Sequence, residues 1–513
     1  MTQYLIYDIE CYKNYFLVVT YDINTGIYES YNLGSRLINK IINNDKVVLI
    51  GWNNHSYDDL LLNHIAQHSH ALTNPFGSLR PTIILTEQHL QELSTEIITN
   101  KDMTDRVMRL KYADKIYKSL DIKSLLDPMP GLKKLEIRTN FHNVQDLPID
   151  PESITTVPQQ LEILNYCKND VDATYNIYKN HALTHIALRQ FLADKFEIDP
   201  DLLTSSSEPR TAEHILSTQA VKGSNKIPWQ IKQSLAPIIE IPINKCIPKW
   251  IKFSTPNMQN LLTELKELVL PVNPITGYAV GTKLKRKVQI GDREYRLGIG
   301  GLHSEDESGC YESTTESQLI DADVTSYYPS ILLRDGAFPR GYNNYWNDVY
   351  KKIYDDRLLA KADPDRTTEA HALKIILNAT FGKFGSKYSS FYDPRLLLEI
   401  TITGQLALLM LIEACDLKSI EVLSANTDGI LVNLKTGLDQ QRFKRICEYW
   451  EKTTKMNLEY TYYNKYVRRD VNNYTALTNK NKIKNKGIFA IPDIKHDVKA
   501  PIITKASSWC VDL

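Results

Sequence analysis

Seven prolines between positions 228 and 274 (Pro228, Pro237, Pro242, Pro248, Pro256, Pro271 and Pro274) exclude a long helix through the middle of this chain. Each lacks a backbone donor and holds its φ near −65°, so the segment breaks into short pieces. The chain must organise itself on either side of this belt. At 513 residues it is also too long for a single core, and about two to four domains are expected.

Residues 1–185 read as an α/β domain. Apolar, β-branched and aromatic runs of strand length fall at 4–9, 15–21 and 46–52, and helical spacing follows at 161–178. Hydrophobic residues make up 42% and charged residues 24% of the chain, the balance of a folded globular protein. The longest apolar run, 406–412, has core length, so no membrane span is expected. The first apolar stretch is interrupted by Asp8 and lacks a basic flank, so no signal peptide is expected. The cysteines are scattered without a CxxC pair, which argues against a disulfide framework or zinc and fits a cytoplasmic location.

Basic and acidic residues balance at 61 each, but the charge is segregated. Lysines crowd 222–252, the stretch 281–287 reads GTKLKRK, and 464–505 is strongly basic. Such strips can neutralise phosphates, while acids gathered elsewhere can hold cations; a single run is equally a solvated face.

Three elements of the first domain carry acids in a useful pattern. Asp8 and Glu10 flank Ile9 at a predicted strand end, so both carboxylates project from one face. Asn54-His-Ser-Tyr57-Asp58 follows the strand at 46–52. Tyr166 and Asp170 are one helical turn apart and share a face. Carboxylates held side by side repel one another unless a cation lies between them. Asp8, Glu10, Asp58 and Asp170 are therefore candidate ligands for two divalent ions, with Tyr166 orienting a water for phosphodiester hydrolysis. The dipeptide Lys133-Lys134 reads more simply as a surface pair.

In this order, DIE, NHSYD and YCKND resemble the three motifs of the 3′–5′ proofreading exonuclease domain of replicative DNA polymerases, which has a ribonuclease H-like fold. The resemblance places Asn54 at a DNA contact.

The second half carries further motifs. Ile320-Asp-Ala-Asp323-Val-Thr-Ser-Tyr327-Tyr328-Pro329-Ser330 resembles motif A of family B DNA polymerases. It implies Asp323 and the Val324 carbonyl as metal ligands, and Tyr328 as the aromatic that excludes a ribose 2′-hydroxyl. Lys374, Asn378 and Phe381 form one helical stripe, which suits a nucleotide and is also what an amphipathic helix with a snorkelling lysine would show. With Gly382 the stripe resembles motif B. Arg357 and Lys361, one turn apart on a helical run at 346–362, resemble the basic pair that grips a triphosphate.

Asn426-Thr-Asp428-Gly429 lies between two apolar strands, and Asp-Gly is a hairpin signal by itself. It resembles motif C with Asp428 as the metal ligand; Asn426 and Gly429 depart from the usual DTDS pattern. Gly300-Gly301 resembles the glycine pair between exonuclease and polymerase halves, and Lys465 the lysine of the KxY primer motif, whose tyrosine is replaced by Val467.

The resemblance implies a multidomain α/β and α+β chain, a ribonuclease H-like exonuclease followed by a family B polymerase palm and fingers. The expected boundaries are 1–185 exonuclease, 186–319 connection and start of palm, 320–345 palm, 346–392 fingers, 393–475 palm, and 476–513 truncated thumb or basic tail. It implies primer extension and proofreading in phage replication, in the host cytoplasm. Two Mg²⁺ per site are expected, with Mn²⁺ as a substitute, and primed DNA and dNTPs as partners. The gaps from Asp323 to Lys374 and from Lys374 to Asp428 are short, which argues against the insertions of protein-primed members. A second polypeptide supplying the thumb is a further expectation. The alternatives are a chain that is mainly a 3′–5′ exonuclease, or a non-catalytic DNA-binding subunit.

Overall fold

Alternation along the first strand sets the layout of the first unit. In β1 (Gln3–Tyr12), Leu5, Tyr7, Ile9 and Cys11 face a core shared with the Asp58–Gln67 and Glu87–Thr99 helices. Ile6 and Tyr12 face a second core against the Val157–Ile177 helix. Asp8 and Glu10 therefore fall on the side of that long helix. In this computed structural model residues 2–69, 85–99, 104–111, 117–126, 131–222 and 227–490 are described, and they form two units, the first ending at Ser207.

The first unit is built on one mixed sheet. β2 (Tyr15–Asp22) pairs antiparallel with β1 and with β3 (Tyr28–Tyr31). β4 (Val47–Gly51) and β5 (Lys118–Asp121) continue it in parallel, giving the order β3-β2-β1-β4-β5. Helices on both faces are what a parallel half-sheet requires. The long helix starts where Gln159 Oε1 accepts from the Thr156 backbone N–H at 2.9 Å, with Pro158 in its first turn. The unit runs past the boundary expected at 185. Arg189 is buried and donates to the carbonyls of Ser206 and Leu125, which fastens the following helices to it.

The proline belt forms a small ribbon of its own. β6 (Glu240–Pro242) pairs with β7 (Val269–Pro271), each ending on a proline, where a missing donor is tolerated. Beyond it lies one large sheet. It comprises β8 (Arg286–Ile290), β9 (Arg293–Leu297), β10 (His303–Ser304), β11 (Gly309–Glu312), β12 (Gln318–Val324), β13 (Glu421–Asn426), β14 (Gly429–Leu434), β15 (Leu458–Asp470), β16 (Asn473–Thr478) and β17 (Ile483–Lys486). Its order is β17-β16-β15-β12-β14-β13-β10-β9-β8, with β11 on β15. Residues 286–312, within the segment expected to hold the connection and start of palm, belong to the same sheet as β12. Residues 476–490, in the segment expected as a truncated thumb or basic tail, extend it through β17, and 491–513 lie outside the described residues.

Pro394–Asp416 and Gly437–Thr454 pack on this sheet, while two other helices pack on each other. Asn344–Ala362 starts on the Asn343 side chain, which accepts from Tyr345 N–H at 3.1 Å, and Thr367–Gly385 packs beside it. Pro394–Asp416 corrects the membrane expectation in part. By length and composition it is apolar enough to cross a membrane, because its two threonines and one glutamine interrupt the apolar run without adding charge. It is nevertheless a core helix, with 89% of its apolar window buried.

Candidate active sites

In the first unit, strand β1 and the Val157–Ile177 helix bring together carboxylates far apart in sequence. Ligand oxygens of Asp8, Glu10 and Asp170 all lie within 4.8 Å of one another. Asp58, buried at the start of its helix, stands close enough for the Asp8 charge to raise its pKa. Burial and mutual repulsion push Asp8 up to about 8, and raise Glu10 and, through burial, Asp170. A divalent cation relieves that repulsion, and an all-oxygen donor set suits Mg²⁺ or Mn²⁺, so the residues fit the metal. The Cys167 thiol points at Asp8 Oδ2 from 3.5 Å. Lys133, read from sequence as a surface residue, binds Asp170 Oδ1 at 2.8 Å, its ammonium 4.6 Å from the centre of the Tyr166 ring.

Neighbouring acids here serve different ends. Asp59 turns to the opposite core, where Tyr7 and Ser119 donate to its oxygens at 2.8 and 2.6 Å. Asn54, expected at a DNA contact, is fully buried, with its amide directed to Asp59 at 3.5 Å. It has no exposed surface to offer a strand and packs against the close-lying Gly51.

In the second unit β12 lies between β14 and β15. Asp323 stands opposite Gly429, and Val324 N–H donates to the Asp428 carbonyl at 2.7 Å. The two acids therefore share one end of the sheet. A Cβ on Gly429 would meet the Asp323 carboxylate and the Ala322 carbonyl, so the acids approach this closely because that position has no side chain. Burial, Asp321 and Asp428 push Asp323 up to about 7; burial and Asp321 also raise Asp428. As in the first unit, an all-oxygen donor set fits Mg²⁺. Ser326 and Thr427, next to these acids, hold φ of 48° and 47°, and such backbone strain clusters at functional sites.

Asp323 and Asp428 open onto a cavity of about 500 Å³, which is also lined by Val324, Tyr328, Arg357, Lys361, Lys374, Asn378 and Phe381. Tyr328 stacks on Phe381 with ring centres 4.4 Å apart. Arg357 donates to the Ser326 hydroxyl, and Lys361 binds Glu459, the β15 neighbour of Asp323, at 2.6 Å. Gly382 follows on the same helix with open space at its α-carbon.

On the other side of the acids, a cavity of about 340 Å³ is lined by Asp321, Asp323, Asn426, Asp428, Lys484 and Lys486, among others. Lys484 lies 3.2 Å from Asp321 and 3.9 Å from Asp323. Lys465 is not brought here: it binds Glu312 of β11 at 3.0 Å and lines neither cavity. The only sequence signal for Lys484 was the basic run that contains it. Asn426 donates to the Val471 carbonyl at 3.2 Å, tying the hairpin to the β15–β16 turn. Gly301 packs against the Thr427 side chain, whose backbone N–H binds the Leu302 carbonyl at 2.8 Å; Gly300 has open space. The close neighbour of Gly301 is therefore the hairpin tip itself.

No protein-family model matches the chain, and no curated protein does. Among solved structures, the chain is similar to the family B DNA polymerase of the hyperthermophilic archaeon Pyrobaculum calidifontis at 14% identity and a TM-score of 0.44. The likeness covers 95% of this chain and 60% of that one, so the chain spans about 60% of that polymerase's length.

Proposed function

We propose that this chain is a family B-type DNA-directed DNA polymerase with a ribonuclease H-like 3′–5′ exonuclease unit, serving phage DNA replication in the host cytoplasm. One observation carries the reading: three separate sequence segments, at 323–328, 357–381 and 428, supply acids, cations and stacked rings to one cavity of nucleotide size. Asp323, Asp428 and the Val324 carbonyl hold Mg²⁺. When bound, the ions lower the pKa of an attacking hydroxyl and offset charge on a departing pyrophosphate.

The other side chains have separable tasks. Arg357, Lys361 and Lys374 neutralise the triphosphate, and Lys361 must exchange Glu459 for it. The Tyr328–Phe381 stack closes the sugar side, where a 2′-hydroxyl would meet a ring. Lys484 lies beside the acids on the side away from Lys374, suited to a primer phosphate or 3′ end. In the first unit Asp8, Glu10, Asp58 and Asp170 hold the ions, and Tyr166 orients the hydrolytic water.

The test is primer extension on primed DNA with dNTPs and Mg²⁺, alongside degradation of a labelled 3′ end. Wild type is expected to do both. Asp428→Asn is expected to keep degradation and lose extension, whereas Asp8→Asn should do the reverse. Extension that survives Asp428→Asn undiminished would sink the polymerase reading.

A further inference from the structure

Glu136 is a buried acid that the proposed chemistry leaves unused. Its side chain is fully buried, and among the described residues neither oxygen has a hydrogen-bond partner. A carboxylate in that state is costly unless a cation stands near it. The cation is Lys133, one turn earlier on the Leu132–Arg138 helix, with Nζ 3.7 Å from Glu136 Oε1. Yet Lys133 makes its shorter contact, 2.8 Å, with Asp170. One ammonium thus stands between a candidate metal ligand and a buried acid with no other partner among the described residues.

A divalent ion drawn to Asp8, Glu10 and Asp170 needs Asp170 and repels Lys133. Lysine carries three donors on a flexible stem, and a shift of about 1 Å would turn the 3.7 Å approach into a hydrogen bond. We propose that Glu136 is a positioning residue: it is the alternate acceptor that takes Lys133 when a divalent cation occupies Asp170. Without the ion, Lys133 stands in for part of its charge. With the ion bound, Lys133 and Glu136 pair and Asp170 is released. This rests on the metal-dependent nuclease reading of the first unit.

The experiment uses the full chain carrying Asp323→Asn and Asp428→Asn, so that Mn²⁺ binding reports the first unit. Free Mn²⁺ is measured by electron paramagnetic resonance during titration. Glu136→Gln is expected to weaken Mn²⁺ about tenfold, the size typical of groups that support a ligand. Lys133→Met is expected to abolish that dependence, so Glu136→Gln with Lys133→Met should bind as Lys133→Met alone. Unchanged affinity in Glu136→Gln overturns the proposal, as does a loss that persists beside Lys133→Met. A Glu136→Gln chain that fails to fold also overturns it, since the glutamate would then be structural. Failure of the nuclease reading looks different: Asp8→Asn in the same background would leave Mn²⁺ binding intact.

Discussion

The two carboxylate clusters use the same ligand chemistry in opposite settings. In the first unit Asp8, Glu10 and Asp170 converge in a confined space, and the nearest cation, Lys133, touches one of them. In the second unit the acids stand at one end of a sheet, with a cavity on either side. One cavity is lined by Arg357, Lys361 and Lys374, the other by Lys484 and Lys486. A hydrolytic site needs little beyond ions, a water and one strand end. A site joining a triphosphate to a primer needs room for two charged partners, with cations set apart from the acids. The surroundings, more than the acids, separate the two proposed chemistries.

The sharpest break in this comparison comes from the acids themselves. Asp428→Asn is expected to lower extension about ten-thousand-fold without lowering degradation, and Asp8→Asn the converse, in paired steady-state assays. A smaller effect is expected from the cations. Lys374→Ala removes a charged contact of about 1.5–3 kcal/mol and should raise the KM for dNTP about ten- to hundredfold, with degradation unchanged. An equal change in both activities would mean that Lys374 acts on folding.

Asn426→Asp tests the departure from the usual motif. It replaces the donor to Val471 with a carboxylate facing that carbonyl, so thermal unfolding should show a loss of about 1 kcal/mol, and extension should not rise. The smallest change is expected at Cys167. Cys167→Ala removes a weak donor to Asp8 and should slow degradation about two- to fivefold while leaving extension alone.

Local patterns were legible where one period sufficed. Asp8-Ile9-Glu10 on a strand, Tyr166 and Asp170 on a helix, and Lys374, Asn378 and Phe381 on another all follow from spacings of two, four and seven. The resemblance assigns Asn54 to a DNA contact, yet its side chain packs against Gly51 with no exposed surface. Lys465 is singled out by its resemblance to the KxY motif, whereas Lys484 lies in the basic run with no motif around it. The register of β15 with β11 gives Lys465 to Glu312, while β17, separated from β12 by two strands, delivers Lys484 to Asp321.

By itself, then, the sequence determined which side chains share a face of each strand or helix, because backbone geometry is local and periodic. It also determined that no long helix would run through the proline belt, where the Pro256–Glu267 helix begins on one of those prolines. Only the tertiary structure decided which faces meet. Asp58 turns towards Asp8 while adjacent Asp59 enters the other core, Lys133 reaches Asp170, and Gly429 lets Asp323 stand beside Asp428. Those outcomes depend on packing and strand register between segments distant in sequence, which no local period encodes.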